Sequence, residues 1–167
     1  DLTAGGKKGN VPFGTLTNVT ESPFQFGLLY TGSDDGVIQV TQDAGGSWAT
    51  ISEELPHDLW VSKVLASSHK KGRVYATLNG YRYDDFKPYV YVSDDFGASW
   101  KDISSNLPLS PVNVIIEDPV KENILYLGTD DASYISFDQG SSWELLDGSM
   151  PNVAVHDMVV QTEANDL

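Results

Sequence analysis

Three of the four tryptophans of this chain close the same eight-residue phrase. It reads TQDAGGSW from Thr41 to Trp48, SDDFGASW from Ser93 to Trp100 and SFDQGSSW from Ser136 to Trp143. Every copy has a hydroxyl residue first, Asp third, Gly fifth, Ser seventh and Trp eighth. The aspartates Asp43, Asp95 and Asp138 are spaced by 52 and 43 residues, a period that belongs to propeller blades or solenoid turns. A unit of that size cannot bury a core alone, so the chain must fold by stacking its units on one another.

The repeat extends beyond the octet. Upstream of each copy lies a pair of apolar runs, within 16–36, 64–80 and 114–131, and downstream comes ATISEELP, KDISSNLP or ELLDGSMP. Tyr30, Thr31, Val74, Tyr75, Thr77, Tyr126 and Thr129 are β-branched or aromatic, and Gly, Asp, Asn and Pro clusters bound their segments, the pattern of short strands. No window carries a sustained helical period. The sequence predicts strands over 15–21, 28–32, 37–41 and 48–52, then 61–67, 73–78, 89–93 and 100–104, then 112–117, 124–128, 133–137 and 143–147. Val153 to Thr162 matches the opening strand of a fourth unit. The expected units are 11–56, 57–108 and 109–151, with 152–167 beginning the next.

The octet resembles the Asp-box, or bacterial neuraminidase, repeat, whose pattern is Ser/Thr-x-Asp-x-Gly-x-Ser/Thr-Trp, and all three copies match at every specified position. The wider phrasing, with GTLTNVTESP, YTGSDDG, YRYDDFKPY and VSDDFGASW, looks like the many-bladed propellers of sortilin-like and glycosyl-hydrolase-like secreted bacterial proteins. The resemblance covers nearly the whole chain after Val11. It implies an all-β partial propeller of three four-stranded antiparallel blades plus the first strand of a fourth, in a secreted, periplasmic or cell-surface protein. It selects no activity, because Asp boxes occur in sialidases, xyloglucanase-like enzymes, sorting receptors and photosystem assembly factors.

The box has a physical purpose that the residues themselves supply. A turn between antiparallel strands leaves backbone N–H groups without ladder partners, and an aspartate at a fixed offset can accept them. Gly45, Gly97 and Gly140 supply a positive φ, and Trp48, Trp100 and Trp143 bury large rings. Asp43, Asp95 and Asp138 are expected to be structural fasteners in the turn between the third and fourth strands, with a metal or ligand role as the alternative.

A propeller closes with four to eight blades, so three blades and one strand form an arc. The expected partners are the remaining blades of the same propeller, from the same polypeptide or from other copies. The formal net charge of -14 argues against nucleic acid, which demands clustered Lys and Arg, and against an anionic membrane surface. No apolar run approaches the ~20 residues of a membrane span. Cysteine is absent, and no zinc-ligand cluster or phosphate loop is found. No cofactor is expected, with Ca²⁺ on an acidic face as the alternative to simple solubility.

Antiparallel connectivity puts the second-to-third turns and the blade-to-blade links on one face, and the Asp boxes on the other. The first face carries Asp34 and Asp35, Asp84 and Asp85, Asp130 and Asp131 in the turns, His57, Asp58 and Trp60 in one link, and His156 and Asp157 near the last strand. The second unit is longer by about nine residues, NGYRYDDFK, in this turn. Tyr81, Arg82, Tyr83, Asp84, Asp85 and Phe86 suit a sugar, with rings for pyranose faces and charged groups for hydroxyls. The structural alternative is a packed hairpin with Arg82 salt-bridged to Asp84 or Asp85.

Enzyme readings meet specific obstacles. The resembled sialidases use three arginines and a Tyr nucleophile, whereas Arg73 and Arg82 are the only arginines here. A glycosidase needs two carboxylates across the scissile bond. Asp35, Asp85 and Asp131 are the candidates for one of them. No GxSxG elbow accompanies His57, His69 or His156. The sequence therefore points to a carbohydrate- or protein-binding module with Trp60, His57, Tyr81, Arg82, Tyr83 and Asp84 as ligand contacts. The alternatives are a sector of a glycoside hydrolase and a sortilin-like peptide receptor.

Overall fold

The computed structural model describes residues 14–146 and 151–161. Its strands are β1 (Leu16–Glu21), β2 (Leu29–Ser33), β3 (Ile38–Thr41), β4 (Ala49–Thr50), β5 (Trp60–Ala66), β6 (Val74–Gly80), β7 (Asp85–Ser93), β8 (Lys101–Asp102), β9 (Val112–Glu117), β10 (Leu125–Thr129), β11 (Ser133–Ser136) and β12 (Glu144–Leu145). They form three four-stranded antiparallel sheets, each a simple meander in chain order.

Two apolar layers hold the sheets face to face, and strand alternation decides which residue joins which layer. On β6, Val74, Ala76 and Leu78 join Leu28, Tyr30, Ile38 and Val40 of the first sheet. Tyr75 faces the other way and joins Val112, Ile115, Leu125 and Leu127 of the third. All seven residues of β6 are buried, as befits a strand covered on both sides. The middle sheet is thus a slice of the stack.

The octets do what their composition demands. Thr41 Oγ1 donates to Asp43 Oδ1 at 2.7 Å and accepts the Gly45 N–H at 2.9 Å, while Ser47 donates its N–H to Oδ1 and its hydroxyl to Oδ2. The same bonds recur around Asp95 and Asp138. Both oxygens of each carboxylate are engaged inside its own turn. Those bonds hold Asp43 and Asp95 at a pKa of about 2, with the Ser47 and Ser99 hydroxyls the largest cause, and lower Asp138 likewise. The glycines have φ of 91°, 90° and 84°, and the residues before them, Ala44, Phe96 and Gln139, are left-handed as well. Their N–H groups donate to Gly27, Gly72 and Asn123 carbonyls, which fixes the boxes on the same face as the first-to-second turns.

Several expected boundaries shift. The fourth strands are two residues long, because after one further bond, Ile51 N–H to Ile38 O or Ile103 N–H to Val90 O, the chain turns at Ser52 and Ser104. The insertion in the second unit is not all loop: β7 starts at Asp85, and only one 3-10 turn, Tyr81–Tyr83, separates it from β6. The expected strand over 153–162 is not formed through Val160, since a strand requires a paired neighbour in its own sheet and none follows among the described residues. That segment nevertheless occupies the place of an inner strand. A Cβ on Gly128 would meet Val155 Cγ1 at 2.7 Å, just as one on Gly32 would meet Val61 Cγ1 at 2.5 Å. The expected unit starting at 11 and the end of the third near 151 run partly outside the described residues.

Candidate ligand pocket on the upper face

Each inner strand carries an irregularity near its start. The register slips between Leu16 and Asn18, between Val61 and Lys63, and opposite the Gly128 and Thr129 step of β10, so Thr17, Ser62 and Asn113 are equivalent bulge residues. Val155 corresponds to Val61, which puts His156 in the same column. A second column follows each second strand: Asp34, Asn79 and Asp130. Asp34 and Asp130 donate their N–H groups to the equivalent carbonyls of Thr15 and Pro111.

What fills these columns decides whether the seam between sheets is sealed or open. At the first seam Thr17 Oγ1 donates to Val61 O at 3.1 Å, and Asp34 accepts the Gly14 and Thr15 N–H groups. At the next, Ser62 Oγ donates to Val112 O at 2.7 Å. Beyond that the longer Asn113 reaches sideways instead. Its Nδ2 donates to Asp130 Oδ1 at 2.8 Å, and its Oδ1 accepts from Asn79 Nδ2 at 2.9 Å. Asn79 Oδ1 in turn accepts the Tyr81 N–H at 2.9 Å, which ties the relay to the insertion.

Above this relay is an open cavity of about 430 Å³, lined by Trp60, Asn79, Tyr81, Arg82, Asn113, Asp130, Ala154 and His156. Three segments contribute: the second sheet, the third and the last described stretch. Asn79 and Asn113 are buried at the floor, while Tyr81 is 61% exposed at the rim. The Arg82 guanidinium lies 5.5 Å from the Trp60 ring centroid, within cation–π range. The Trp60 indole N–H is shielded from solvent and has no acceptor among the described residues. Asp130 Oδ2 accepts no hydrogen bond from them either.

The sequence-predicted site residues divide. Trp60, Tyr81 and Arg82 come together here, and His156 shares the lining. His57, Tyr83 and Asp84 are exposed elsewhere on the surface, and Asp84 takes a left-handed φ of 57° that turns the chain into β7. Asp35 accepts from the Ser33 hydroxyl and the Val37 N–H, forming its hairpin turn. Asp85 accepts from Tyr89 Oη at 2.7 Å and from the Lys87 N–H. The Tyr89 bond is the main reason its pKa is lowered, and Tyr89 is pushed up to about 12, chiefly by burial. Asp131 is exposed outside the cavity. Arg82 pairs with neither Asp84 nor Asp85: the salt bridges among the described residues are Lys70 to Asp94 and Arg73 to Asp94.

Asn79 and Asn113 were not singled out by sequence. The signal was present as a column, Thr17, Ser62, Asn113 and His156, in which small hydroxyl residues give way to larger polar ones. Among the described residues no group of three or more His, Cys, Asp or Glu gathers in a metal-holding arrangement.

No protein-family model matches the sequence, and no curated protein matches it. Solved structures do. An ancestral GH74 enzyme matches 85% of this chain at TM-score 0.67 and 19% identity, and the GH74 xyloglucanase from Xanthomonas campestris matches 80% at 0.62 and 14%. Ycf48 bound to D1 peptide matches 83% at 0.62 and 19%. The chain spans 20%, 23% and 41% of those proteins' lengths. The three sheets are blades of the kind found in these larger propellers, and the arc needs further blades to close.

Proposed function

We propose that these blades are one sector of an extracytoplasmic propeller that binds carbohydrate on the face that carries the second-to-third turns. The observation that carries this reading is the cavity at the second and third blades. It sets the ring surfaces of Trp60 and Tyr81 beside the Asn79, Asn113 and Asp130 relay. Aromatic faces with a few convergent polar groups are the usual make-up of a small-ligand cleft, and the volume lies within the roughly 300–1,000 Å³ such clefts span. Binding of the chain to an oligosaccharide array tests it. Tyr81→Ala and Asn113→Ser should weaken binding while leaving the fold intact, the second because it restores the residue found at Ser62. Unchanged binding in both variants would remove the pocket from the account.

A second reading, a sector of a glycoside hydrolase, is favoured by the likeness to GH74 enzymes and by the free oxygen of Asp130. Hydrolysis needs a second carboxylate about 5–9.5 Å away. Asp130 is the single carboxylate in the cavity lining among the described residues, so the other would come from a further blade. Oligosaccharide cleavage abolished by Asp130→Asn would establish this reading over simple binding.

A further inference from the structure

We propose that the ligand of this pocket carries a carboxylate and that Arg82 recognises it, which makes the target an oligosaccharide containing an acidic sugar such as a uronic acid. This inference rests on the carbohydrate-binding reading above. The 3-10 turn Tyr81–Tyr83 delivers Arg82 to the cavity rim, and its guanidinium carbon lies over the indole of Trp60, 5.5 Å from the ring centroid. A cation–π contact of this kind occupies none of the five N–H donors with an acceptor oxygen.

Those donors have no acceptor among the described residues. The chain holds 24 acidic residues against 10 basic ones, so carboxylates are abundant, and Asp84 and Asp85 are close neighbours in sequence. Yet Asp85 is committed to Tyr89 and Lys87, and neither aspartate forms a salt bridge with Arg82. An exposed arginine placed over an aromatic ring, with its N–H donors facing no protein acceptor among the described residues, suits a planar, two-oxygen acceptor. A carboxylate meets the guanidinium fork with two parallel bonds, whereas a hydroxyl engages it singly.

Asp130, in the same lining, fixes the orientation and the class. Asp130 repels a carboxylate and accepts from hydroxyls, so the acidic group must lie on the Arg82 side and the neutral ring on the relay side. The Asp130 oxygen left without a donor, beside the paired Asn79 and Asn113 side chains, suits a sugar hydroxyl, which can donate to it and accept in turn. The net charge of -14 opposes a continuous polyanion, which leaves an isolated acidic residue in an otherwise neutral glycan.

The test uses the whole chain against an array and by titration calorimetry. The probes are glucuronic-acid-containing oligosaccharides, their methyl esters, the matching neutral oligosaccharides and a peptide with a free C-terminal carboxylate. The inference predicts that free acids bind and that esterification weakens binding about tenfold or more, the scale of a lost charge-assisted pair. Arg82→Ala should weaken the free acid by a similar factor and leave the ester unchanged, with Arg82→Lys failing to restore it. Circular dichroism checks that each variant is folded. Equal binding of acid, ester and neutral sugar would overturn the inference while the carbohydrate reading stands. Binding of no sugar, or of the peptide alone, would overturn both.

Discussion

The indole N–H of Trp143 donates to the backbone carbonyl oxygen of Ile103 across 2.8 Å, joining the end of one octet to the residue three places past the tryptophan of the one before. Trp100 makes the same bond to Ile51 at 2.6 Å. A Cβ on Gly97 would fall on Ile51 Cδ1, and one on Gly140 would meet Ile103 Cδ1 at 2.8 Å. The second and third boxes are therefore sockets for the isoleucine of the preceding blade. Trp48 has no such acceptor among the described residues and is 44% exposed, against 4% for Trp143. The repeat thus predicts an aliphatic residue from a preceding blade over Gly45 and Trp48.

Trp143→Phe should lower stability by about 1–3 kcal/mol, because it leaves the Ile103 carbonyl unpaired in a buried seam. Trp48→Phe should change it by less than about 0.5 kcal/mol. Urea unfolding of both variants gives the comparison, and equal losses would contradict the socket.

The box glycines separate backbone strain from steric fit. Gly45→Ala meets no atom closer than 3.8 Å and should cost only the left-handed penalty, about 1–2 kcal/mol. Gly97→Ala adds a collision with Ile51 and should cost about 1–3 kcal/mol more. Pairing it with Ile51→Ala should recover part of that excess, and the double-mutant cycle in urea measures how much.

Acid should loosen the boxes in a defined window. The folded state lowers Asp43 and Asp95 from the ordinary 3.8 to about 2. Their contribution is present above the unfolded value and is lost as pH falls through the folded one, so the fall lies between about pH 4 and pH 2. A variant with Asp43→Asn and Asp95→Asn should start less stable at neutral pH and lose less between those limits. Stability measured by urea titration at each pH checks it, and parallel curves would show that the boxes do not carry the acid response.

Buried Glu117 locks the second and third blades together. It accepts from Ser67 Oγ, from the Ser68 N–H and hydroxyl, and from Tyr75 Oη at 3.1 Å. Glu117→Ala should cost about 3 kcal/mol or more, since these donors lose a charged acceptor. Thermal unfolding that leaves the midpoint unmoved would show the clamp to be idle.

The octets made the blades legible because each position in them has a bond of its own: hydroxyl to glycine N–H, aspartate to serine, tryptophan to the blade before. β-Branched and aromatic residues between Gly, Asp, Asn and Pro clusters likewise placed β2, β6 and β10. Sequence overextended β4, β8 and β12 because edge strands end where the backbone turns at Ser52 and Ser104, which side-chain polarity does not announce. The site was half legible. Trp60, Tyr81 and Arg82 stood out by residue type, but Asn79 and Asn113 acquire meaning only once the inner-strand bulges align them across neighbouring blades. Asp35 and Asp85 look like candidate acids in sequence, and local hydrogen bonds in their turns account for them.

The most direct test of the blade-to-blade socket is hydrogen exchange of the tryptophan indole N–H groups by ¹⁵N–¹H NMR on the chain as it stands. The account predicts that Trp100 and Trp143 exchange slower than Trp48 by about two orders of magnitude or more, as protected groups do relative to exposed ones. Equal exchange of all three, or a protected Trp48 beside a fast Trp143, would contradict it.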